Sequence, residues 1–404
     1  MAALENVSIP YGGYWCTPFA KWQGSLAHLH SIQFAAHVAK EALAERDIPA
    51  DSFDHAALGL TVPQKHSFYG LPWLMKMIGN EGVGGTTVSQ ACATSARVIQ
   101  GAALELEQGM ASASLCVTAD RTSNTPVVVY PNPQGMAGSP EVENWVLGNF
   151  SKDPLGGPEM VGTAENCARD WQISTEEQHE VVARRWEQYE EATANDHAFQ
   201  KKYMKLPFEV PDQRYRKTLT SLPGDEGIRP STREGLAALK PVVEGGTVTF
   251  GGQTHPADGN AGLILASPEK AKALSKDPNI SIEIRGLGMA RERPAYMPAA
   301  PVPAAKTALD MAGMTIGDID AVKTHNPFAV NDVVFARETG FDVTKMNNYG
   351  CSLIYGHPQG PTGMRLIIEL IEELVERGGG NGLFTGCAAG DSAMAVVVSV
   401  KNGK

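Results

Sequence analysis

The sequence predicts an α/β fold built from two similar βα halves, with a long insertion before the first half is complete. Short apolar strands alternate with amphipathic helices along 1–120 and again after 245, which indicates mostly parallel sheets covered by helices. The end of the chain repeats the order of its beginning, and a repeat of such long period indicates two similar halves packed together. We assign 1–120 plus 245–270 to an N-terminal half, 121–244 to an inserted loop domain on the substrate side, and 271–404 to a C-terminal half.

Hydrophobic spacing places the elements of the first half. Apolar residues recur at helical intervals across 28–45, and a short apolar run at 56–62 predicts a buried strand. The stretch 63–81 lacks such order and is expected to be irregular. After Cys92 a helix is predicted to continue to Gly109, and a buried strand follows at 113–118.

The insertion and the second half are assigned in the same way. Helices are expected across 163–194, where Ser174 and the residues after it form a helix-start signal. Strands are expected at 247–250, 260–266 and 280–284. The repeat between the halves pairs three segments: 51–58 with 317–324, the helix 96–109 with 362–378, and the strand 113–118 with 382–386.

Composition excludes several classes of protein. A formal net charge of -11 argues against a nucleic-acid-binding surface. The N-terminus lacks the basic and apolar regions of a signal peptide, and no apolar run approaches the length of a membrane span. The six cysteines form no CxxC pair, so reduced thiols in the cytoplasm are expected rather than zinc or disulfides. A basic stretch at 199–217 suits either phosphate binding or an ordinary solvated face.

One stretch, V-S-Q-A-C-A-T-S-A-R-V-I-Q-G at 88–101, places a cysteine at a strand-to-helix corner. β-Favouring residues meet helix formers at Cys92, so the first N–H groups of the helix should point at its sulfur and favour the thiolate. Small neighbouring side chains leave room for a substrate. A lone cysteine is more often a small buried hydrophobe. The assignment of a nucleophile therefore depends on partners elsewhere in the chain.

Three later stretches place histidine or cysteine beside glycine or proline where strands should end: T-H-N-P-F (324–328), Y-G-H-P-Q-G-P-T-G (355–363) and T-G-C-A-A-G-D (385–391). Backbone geometry is specialised at such positions. Each histidine taken alone is more often structural. Taken together, His325, His357 and Cys387 complete, with Cys92, a nucleophile–base set on loops at strand ends.

These four motifs resemble the catalytic motifs of the thiolase superfamily, in the same order and across nearly the whole chain. Three more segments resemble the family's opening segment, its loop-domain signature and its approach to the coenzyme A pocket: T-P-F-A-K-W-Q-G-S-L-A (17–27), M-V-G-T-A-E-N-C-A-R-D-W-Q-I-S (160–174) and the residues of 228–258. The resemblance implies a thiolase-like fold, with two βαβαβ halves in five layers, α-β-α-β-α, and an inserted loop domain.

The resemblance also implies a role for each catalytic residue. Cys92 matches the nucleophile that becomes acylated, and His357 matches the base that activates it. Cys387 matches the acid/base that exchanges a proton with the substrate α-carbon or with the thiol of coenzyme A. His325 resembles the sterol-carrier-type branch and is expected, with His357, to donate to the thioester oxygen. The backbone N–H groups of Cys92 and Ala389 are expected to form the other oxyanion hole.

The resemblance further implies coenzyme A as co-substrate, with no permanently bound cofactor and no metal. Thr254, Phe328 and Gly390 are the residues expected to contact the substrate or coenzyme A. A homodimer or a dimer of dimers is expected. Diverged thiolases of this kind often work with a small partner protein that carries a zinc ribbon and an OB-fold, so such a partner is a further expectation.

Departures from the family pattern concern the substrate more than the chemistry. Two pairs of residues in or beside the catalytic motifs differ from the family pattern: Asn326-Pro327 and Cys351-Ser352. We therefore expect an acyl group that is not a plain straight chain, such as the aromatic one of benzoylsuccinyl-CoA. Two alternatives stay open: a decarboxylating ketosynthase with a Cys-His-His set, and a non-catalytic or retro-aldolase subunit that binds acyl-CoA or lipid. Cys387 argues against the ketosynthase, which does not use a second cysteine.

Overall fold

The secondary structure follows hydrophobic spacing along most of the chain. The structure is a computed structural model, and it describes residues 4–155 and 157–403. Its strands are β1 (Tyr14–Cys16), β2 (Ala20–Lys21), β3 (His55–Gly59), β4 (Gly84–Val88), β5 (Ala113–Arg121), β6 (Val127–Tyr130), β7 (Glu141–Asn144), β8 (Phe208–Pro211), β9 (Thr218–Leu222), β10 (Ala257–Ala266), β11 (Ile280–Arg291), β12 (Ala321–His325), β13 (Gly379–Ala388) and β14 (Ser392–Asn402). Its α-helices are α1 (Ser31–Ala44), α2 (Gly70–Ile78), α3 (Thr94–Glu107), α4 (Leu147–Ser151), α5 (Met160–Asp170), α6 (Thr175–His197), α7 (Arg233–Ala237), α8 (Pro268–Leu274), α9 (Pro301–Ala312), α10 (Ala329–Thr339), α11 (Ser352–Tyr355) and α12 (Gln359–Glu376).

Two sheets with matching strand order form the frame. The N-terminal sheet has the order β1-β10-β5-β3-β4, and the C-terminal sheet has the order β11-β14-β13-β12. The order β10-β5-β3 therefore recurs as β14-β13-β12, with the same directions in both halves. Both sheets are mixed, so the prediction of mostly parallel sheets was wrong. β13 and β14 are joined by a turn at 389–391, and strands joined by so short a turn must run antiparallel.

Five layers bury three hydrophobic cores. α1 and α2 cover the outer face of the N-terminal sheet, and α9 covers the outer face of the C-terminal sheet. Between the sheets, α3 packs against α12, and these two helices share the largest core with both sheets. The α-β-α-β-α arrangement is thus confirmed. It brings the ends of strands from both halves to one region of the molecule.

Two local expectations differ from the structure. Within 63–81, which was expected to be irregular, α2 buries Leu71, Leu74, Met75 and Ile78 on one face, a helical spacing that its glycine and proline obscured. At 247–250 no strand of either sheet forms, because the backbone N–H groups of Thr247 and Val248 donate to the Glu165 carboxylate instead of to a neighbouring strand.

The segment 121–244 is tied to the C-terminal half by buried charges. Both guanidinium NH groups of Arg365, on α12, donate to the carboxylate of Asp225, at 2.6 and 2.9 Å. Nε of Arg365 donates to Glu369 at 2.9 Å, and Lys323 pairs with the same glutamate at 3.3 Å. These side chains are fully buried, so each charge depends on its partners for compensation.

Half of the basic side chains in the stretch 199–217 form ion pairs. Lys201, Lys202 and Lys205 form ion pairs with acidic side chains of Asp196, Glu376 and Glu45. This pairing favours the ordinary solvated face over a phosphate site. All six cysteines are free thiols. Among the helices of the described chain, none combines the length and the hydrophobicity needed to cross a bilayer.

Candidate active site

Cys92 lies at the predicted corner, between the end of β4 and the start of α3. Ala91 before it adopts a left-handed conformation with φ of 44°, which is uncommon for a residue with a side chain. The Thr94 hydroxyl stabilises this turn by donating to the Ala91 carbonyl at 2.7 Å and accepting from the Gln90 N–H at 2.8 Å. Burial raises the pKa of the Cys92 thiol to about 12, although the backbone N–H groups of Cys92 and Ala389 lower it. The corner therefore does not ionise the thiol unaided, and a base is needed.

Two imidazoles face this sulfur. Sγ of Cys92 and one ring nitrogen from each of His325 and His357 all lie within 4.8 Å of one another. The two rings stack, with centroids 4.0 Å apart. Burial lowers the pKa of His325 to about 3, and burial together with neighbouring imidazoles lowers the pKa of His357 well below its usual range. Both rings are therefore neutral near pH 7 and can accept a proton from the thiol. A thiolate and two imidazoles are also a suitable ligand set for a soft metal ion, which would bind the sulfur and prevent it from acting as a nucleophile.

Cys387 lies near the end of β13, fully buried behind the cavity wall. Nδ2 of Asn331 donates to Sγ of Cys387 at 3.3 Å and to the Pro298 carbonyl at 3.4 Å, and its Oδ1 accepts from the N–H of Phe328. Burial and the nearby Cys92 raise the pKa of the Cys387 thiol well above its usual value, and the Asn331 amide opposes that shift. Sequence reasoning missed Asn331, although it follows His325 by six residues on the helix that the motif begins.

The loop that carries His357 is fastened to the N-terminal half by Asp120. Its buried carboxylate accepts from the N–H groups of Thr61, Val62 and Gly360 at 2.8, 2.9 and 2.6 Å, and from the Thr61 hydroxyl at 2.7 Å. Burial raises the pKa of Asp120 to about 6, and these four donors lower it. Since Gly360 follows His357 by three residues, Asp120 fixes the histidine relative to the half that contains Cys92.

A cavity of about 650 Å³ opens onto Cys92 and His357. His325 and Cys387 are fully buried behind its wall. Part of the wall comes from the β6–β7 hairpin and α4 of the insertion. The large apolar and aromatic side chains of the wall are Tyr130, Trp145, Val146, Phe150, Met160, Val161, Met297 and Phe328. Such a lining suits a bulky apolar group next to the nucleophile.

Two of the three residues expected to contact the substrate lie in the cavity wall, and the third does not. Thr254 and Phe328 line the cavity. The Thr254 hydroxyl already donates to the carbonyl of Ser352 at 2.5 Å, so it holds the loop after Cys351. Among the described residues that line the cavity, Ala389 is present and Gly390 is not. The carbonyl of Gly390 accepts instead from Nε of Arg291 at 3.1 Å.

Sequence reasoning missed a third histidine. His255 lines the cavity, and its carbonyl accepts from the His357 N–H at 2.8 Å. Its Nε2 is buried without a hydrogen-bond partner in the described chain. Gly356 has φ of 90°, and a side chain there would lie 2.8 Å from that Nε2. A T-H-P triplet inside the segment that resembles the coenzyme A approach was the available signal.

The charges of the cavity wall are acidic. Glu143 and Glu159 line it, whereas no lysine or arginine appears among its described lining residues. The Glu143 carboxylate accepts from the Tyr130 hydroxyl at 2.8 Å and from Nδ2 of Asn149 at 3.0 Å, both neutral donors. The basic side chains of the wall are the imidazoles of His255 and His357, and burial lowers the pKa of both, so neither supplies a positive charge near pH 7.

Comparison with known proteins shows the family to which the chain belongs. A family model described as "Thiolase, N-terminal domain" matches residues 14–269, and one described as "Thiolase, C-terminal domain" matches residues 279–400. An acetyl-CoA acetyltransferase of Escherichia coli (strain K12) is 28% identical, over 96% of this chain and 97% of the relative. A 3-ketoacyl-CoA thiolase of Pseudoalteromonas translucida is 31% identical, over 95% of this chain and 94% of the relative.

Solved structures show the same similarity. Human mitochondrial 3-ketoacyl-CoA thiolase in complex with CoA superposes with a TM-score of 0.87 at 26% identity, over 98% of this chain and 99% of that chain. The acetyl-CoA acetyltransferase of Bacillus anthracis superposes with a TM-score of 0.88 at 26% identity, over 99% of this chain and 100% of that chain.

Proposed function

Because the chain belongs to the thiolase family, whose two domain models together match most of its length, we propose that Cys92 forms an acyl-cysteine during CoA-dependent cleavage of a 3-ketoacyl-CoA. The same intermediate would serve the reverse condensation. The observation that supports this proposal most directly is the grouping of the Cys92 sulfur with His325 and His357 within 4.8 Å, beside a cavity large enough for an acyl group.

In the first half-reaction, His357 accepts the proton of Cys92, and the thiolate attacks the 3-keto carbon. The N–H groups of Cys92 and Ala389 bind the resulting oxyanion, and each such donor lowers the barrier by on the order of 3 kcal/mol. The bond between the α- and β-carbons then breaks, and its electron pair enters an enolate whose oxygen lies against His325 and His357. Cys387 protonates the α-carbon, which releases the shortened acyl-CoA.

In the second half-reaction, the acyl group on Cys92 is transferred to free coenzyme A. The Cys387 thiolate removes the proton from the incoming thiol, and the coenzyme A sulfur attacks the acyl carbon. Cys92 leaves as a thiolate and recovers its proton from His357, so the enzyme returns to its starting state. Cys387 suits this exchange because a thiol can donate and then accept a proton, and the Asn331 amide opposes the rise that burial causes in its pKa.

The acyl group that we propose is bulky and aromatic, because Tyr130, Trp145 and Phe150 of the insertion line the cavity near the nucleophile. His325 is consistent with the sterol-carrier-type branch. Benzoylsuccinyl-CoA is one such substrate, and its free carboxylate would require a hydrogen-bond donor in the wall. With no arginine or lysine among the described lining residues, we assign that contact to the neutral imidazole of His255, whose pKa is lowered by burial.

A substrate series tests this function. The enzyme is incubated with free coenzyme A and one of three substrates: acetoacetyl-CoA, 3-oxo-3-phenylpropionyl-CoA or benzoylsuccinyl-CoA. We expect two thioester products, benzoyl-CoA among them for the aromatic substrates, and a higher kcat/KM for these than for acetoacetyl-CoA. Intact mass after incubation with benzoyl-CoA should show a benzoyl adduct that is absent from Cys92→Ala. Turnover of a malonyl thioester alone would favour the ketosynthase, and absence of any adduct would favour a binding subunit.

We also propose that two copies of this chain associate in the cytoplasm, as a dimer or a dimer of dimers. The edge strand β4 supports this, because it is unpaired on its outer side and Gly84–Thr87 are exposed. A small zinc-ribbon partner rests on the family resemblance alone. Sedimentation of the purified chain, with and without a co-expressed partner, tests both points, and a species near 43.1 kDa as the sole component would argue against self-association.

A further inference from the structure

A chain of three hydrogen bonds lies behind His325. Nδ1 of His325 is 2.9 Å from Oγ of Ser352, and that oxygen is 3.1 Å from Oδ1 of Asn326. The backbone N–H of Asn326 points at the same hydroxyl, at 3.3 Å. All three side chains are fully buried, so their hydrogen atoms must be shared among these partners. The Ser352 hydroxyl has a single hydrogen, and the direction in which it points determines which ring nitrogen of His325 carries a hydrogen.

The orientation of the Asn326 amide is fixed by charge. Its Nδ2 donates to Oδ2 of Asp332 at 2.8 Å, and that carboxylate pairs with Nε of Arg185 at 2.9 Å, with both charged side chains buried. Its Oδ1 accepts from the N–H of Leu353 at 3.3 Å. Flipping the amide would turn its oxygen toward a carboxylate and its NH2 toward an N–H donor. Oδ1 therefore faces Ser352.

The hydroxyl hydrogen of Ser352 consequently points at Asn326, because otherwise two acceptors would face each other at 3.1 Å in a buried site. The Ser352 oxygen is then free to accept from His325. We propose that Ser352 is a positioning residue that holds the hydrogen of neutral His325 on Nδ1, so that Nε2 presents a lone pair to the active site.

The same reasoning applies to His357. The Thr362 hydroxyl donates to the Pro358 carbonyl at 2.7 Å, so it accepts from Nδ1 of His357, also at 2.7 Å. Nε2 of both histidines is buried without a protein partner in the described chain. In the resting enzyme, the thiol hydrogen of Cys92 is therefore the one that can move to either of these two nitrogens.

This arrangement deepens the proposed function and rests on it for its consequence. Removing the proton from Cys92 creates the nucleophile and, in the same step, creates an Nε2–H on His357 that can donate to the thioester oxygen, while Nε2 of His325 keeps its lone pair. Before that transfer, neither imidazole offers the thioester a donor. The expectation that His325 and His357 both donate to the thioester oxygen is thereby replaced by one donor, on His357, that forms only when the nucleophile does.

Nitrogen NMR of the histidine-labelled free enzyme tests the tautomer directly, with His325→Asn to assign the signal. We expect hydrogen on Nδ1 of His325 in the wild type and in Ser352→Thr, and a shift toward Nε2–H in Ser352→Ala. The His357 signal serves as the internal control and should not change. Cys351→Ala, a substitution of the adjacent residue, controls for disturbance of the loop. Hydrogen on Nε2 of His325 in the wild type would overturn the proposal.

Binding to an enzyme without the thiol tests the consequence. Cys92→Ala has no proton to give, so acetyl-CoA should find no imidazole donor. Adding Ser352→Ala should tighten acetyl-CoA binding by about three- to tenfold, the effect of one net hydrogen bond, while free coenzyme A binds equally to both variants. A merely structural role for Ser352 predicts weaker binding. If the tautomer shifts as expected and affinity does not, the proposed place of the thioester oxygen is wrong and the role of Ser352 in the tautomer stands.

Discussion

Nδ2 of Asn331 lies 3.3 Å from Sγ of Cys387, so a neutral amide donates a hydrogen bond that partly opposes the rise that burial causes in the pKa of this thiol. Replacing Asn331 with Asp keeps the oxygen that accepts from Phe328, removes the donor to Cys387 and to the Pro298 carbonyl, and places an acidic group beside the thiol. We expect Asn331→Asp to slow carbon–carbon cleavage by about 10² or more, the usual weight of a positioned acid/base.

Alkylation of Cys92 is the control that separates the loss of the hydrogen bond to Cys387 from general damage to the site. Asn331 does not contact that cysteine, so the rate of Cys92 alkylation by iodoacetamide should match that of the wild type. A variant that lost alkylation and cleavage together would show general damage to the site rather than loss of a hydrogen bond to Cys387.

The two active-site cysteines should fail differently when each is changed to serine. Cys92→Ser replaces the thiol with a much poorer nucleophile, so no acyl-enzyme should form and turnover should vanish. Cys387→Ser leaves the nucleophile intact, and acylation from a simple acyl-CoA should remain measurable while cleavage falls by about 10² or more. Intact mass after acyl-CoA treatment, alongside a thiolysis assay, measures both effects.

Cys351→Ala provides the matched control for the cysteine variants. Its sulfur accepts from Nδ2 of Asn326 at 3.2 Å, but that amide also has the Asp332 carboxylate as partner. Most activity should therefore be retained. Full thiolysis by Cys387→Ser, or acylation of Cys92→Ser in the active site, would show that the assigned roles are wrong.

Asp120 should make stability depend on pH. Burial raises its folded pKa from 3.8 to about 6, so the folded state binds this proton more tightly than the unfolded state does. Its contribution to stability is therefore largest below pH 3.8 and is lost as the pH rises toward 6. The change amounts to on the order of 3 kcal/mol.

Urea unfolding of the wild type and Asp120→Asn at several pH values measures this contribution as a difference between the two proteins. The wild type should lose stability relative to the variant between about pH 4 and pH 6.5. A difference that stays constant across this range would mean that Asp120 is ionised throughout, held so by its four hydrogen-bond donors.

Glu143 should discriminate between charged and neutral acyl groups. Its carboxylate is held in the cavity wall by two neutral donors and has no cation beside it among the described lining residues. Glu143→Gln should raise kcat/KM for a carboxylate-bearing 3-ketoacyl-CoA on the order of fivefold, because a like charge is removed. The value for acetoacetyl-CoA should stay the same, and an equal rise for both substrates would exclude an electrostatic origin.

Local signals in the sequence were sufficient to predict the nucleophile corner and the repeat. Cys92 sits between a strand and a helix as its neighbours indicated, and β3, α3 and β5 recur as β12, α12 and β13. The direction of the strands could not be predicted from local signals, because β10 follows the insertion in the sequence and pairs with a strand that precedes it. Its antiparallel pairing with β5 joins residues more than 130 positions apart.

The residues that support the catalytic side chains were also missed, because their partners are distant in sequence. Arg185 reaches Asp332 from the insertion, and that carboxylate fixes Asn326. Asp120 reaches Gly360 across 240 positions. Hydrophobic periodicity carries no information about such pairs, since each residue taken alone resembles an ordinary polar residue on a loop or at a strand end.

The pairing of Asp225 with Arg365 limits how far this protein can be re-engineered by exchanging whole segments. A chimera that takes the segment 121–244 from a relative with no acidic residue at the position of Asp225 would remove one of the two counter-charges of the buried Arg365 and leave it only Glu369, which also pairs with Lys323. Breaking one such pair costs about 3–5 kcal/mol, a large part of the stability of a typical domain. Changing substrate preference by point substitutions in the wall, or transplanting α12 together with the insertion, avoids that penalty.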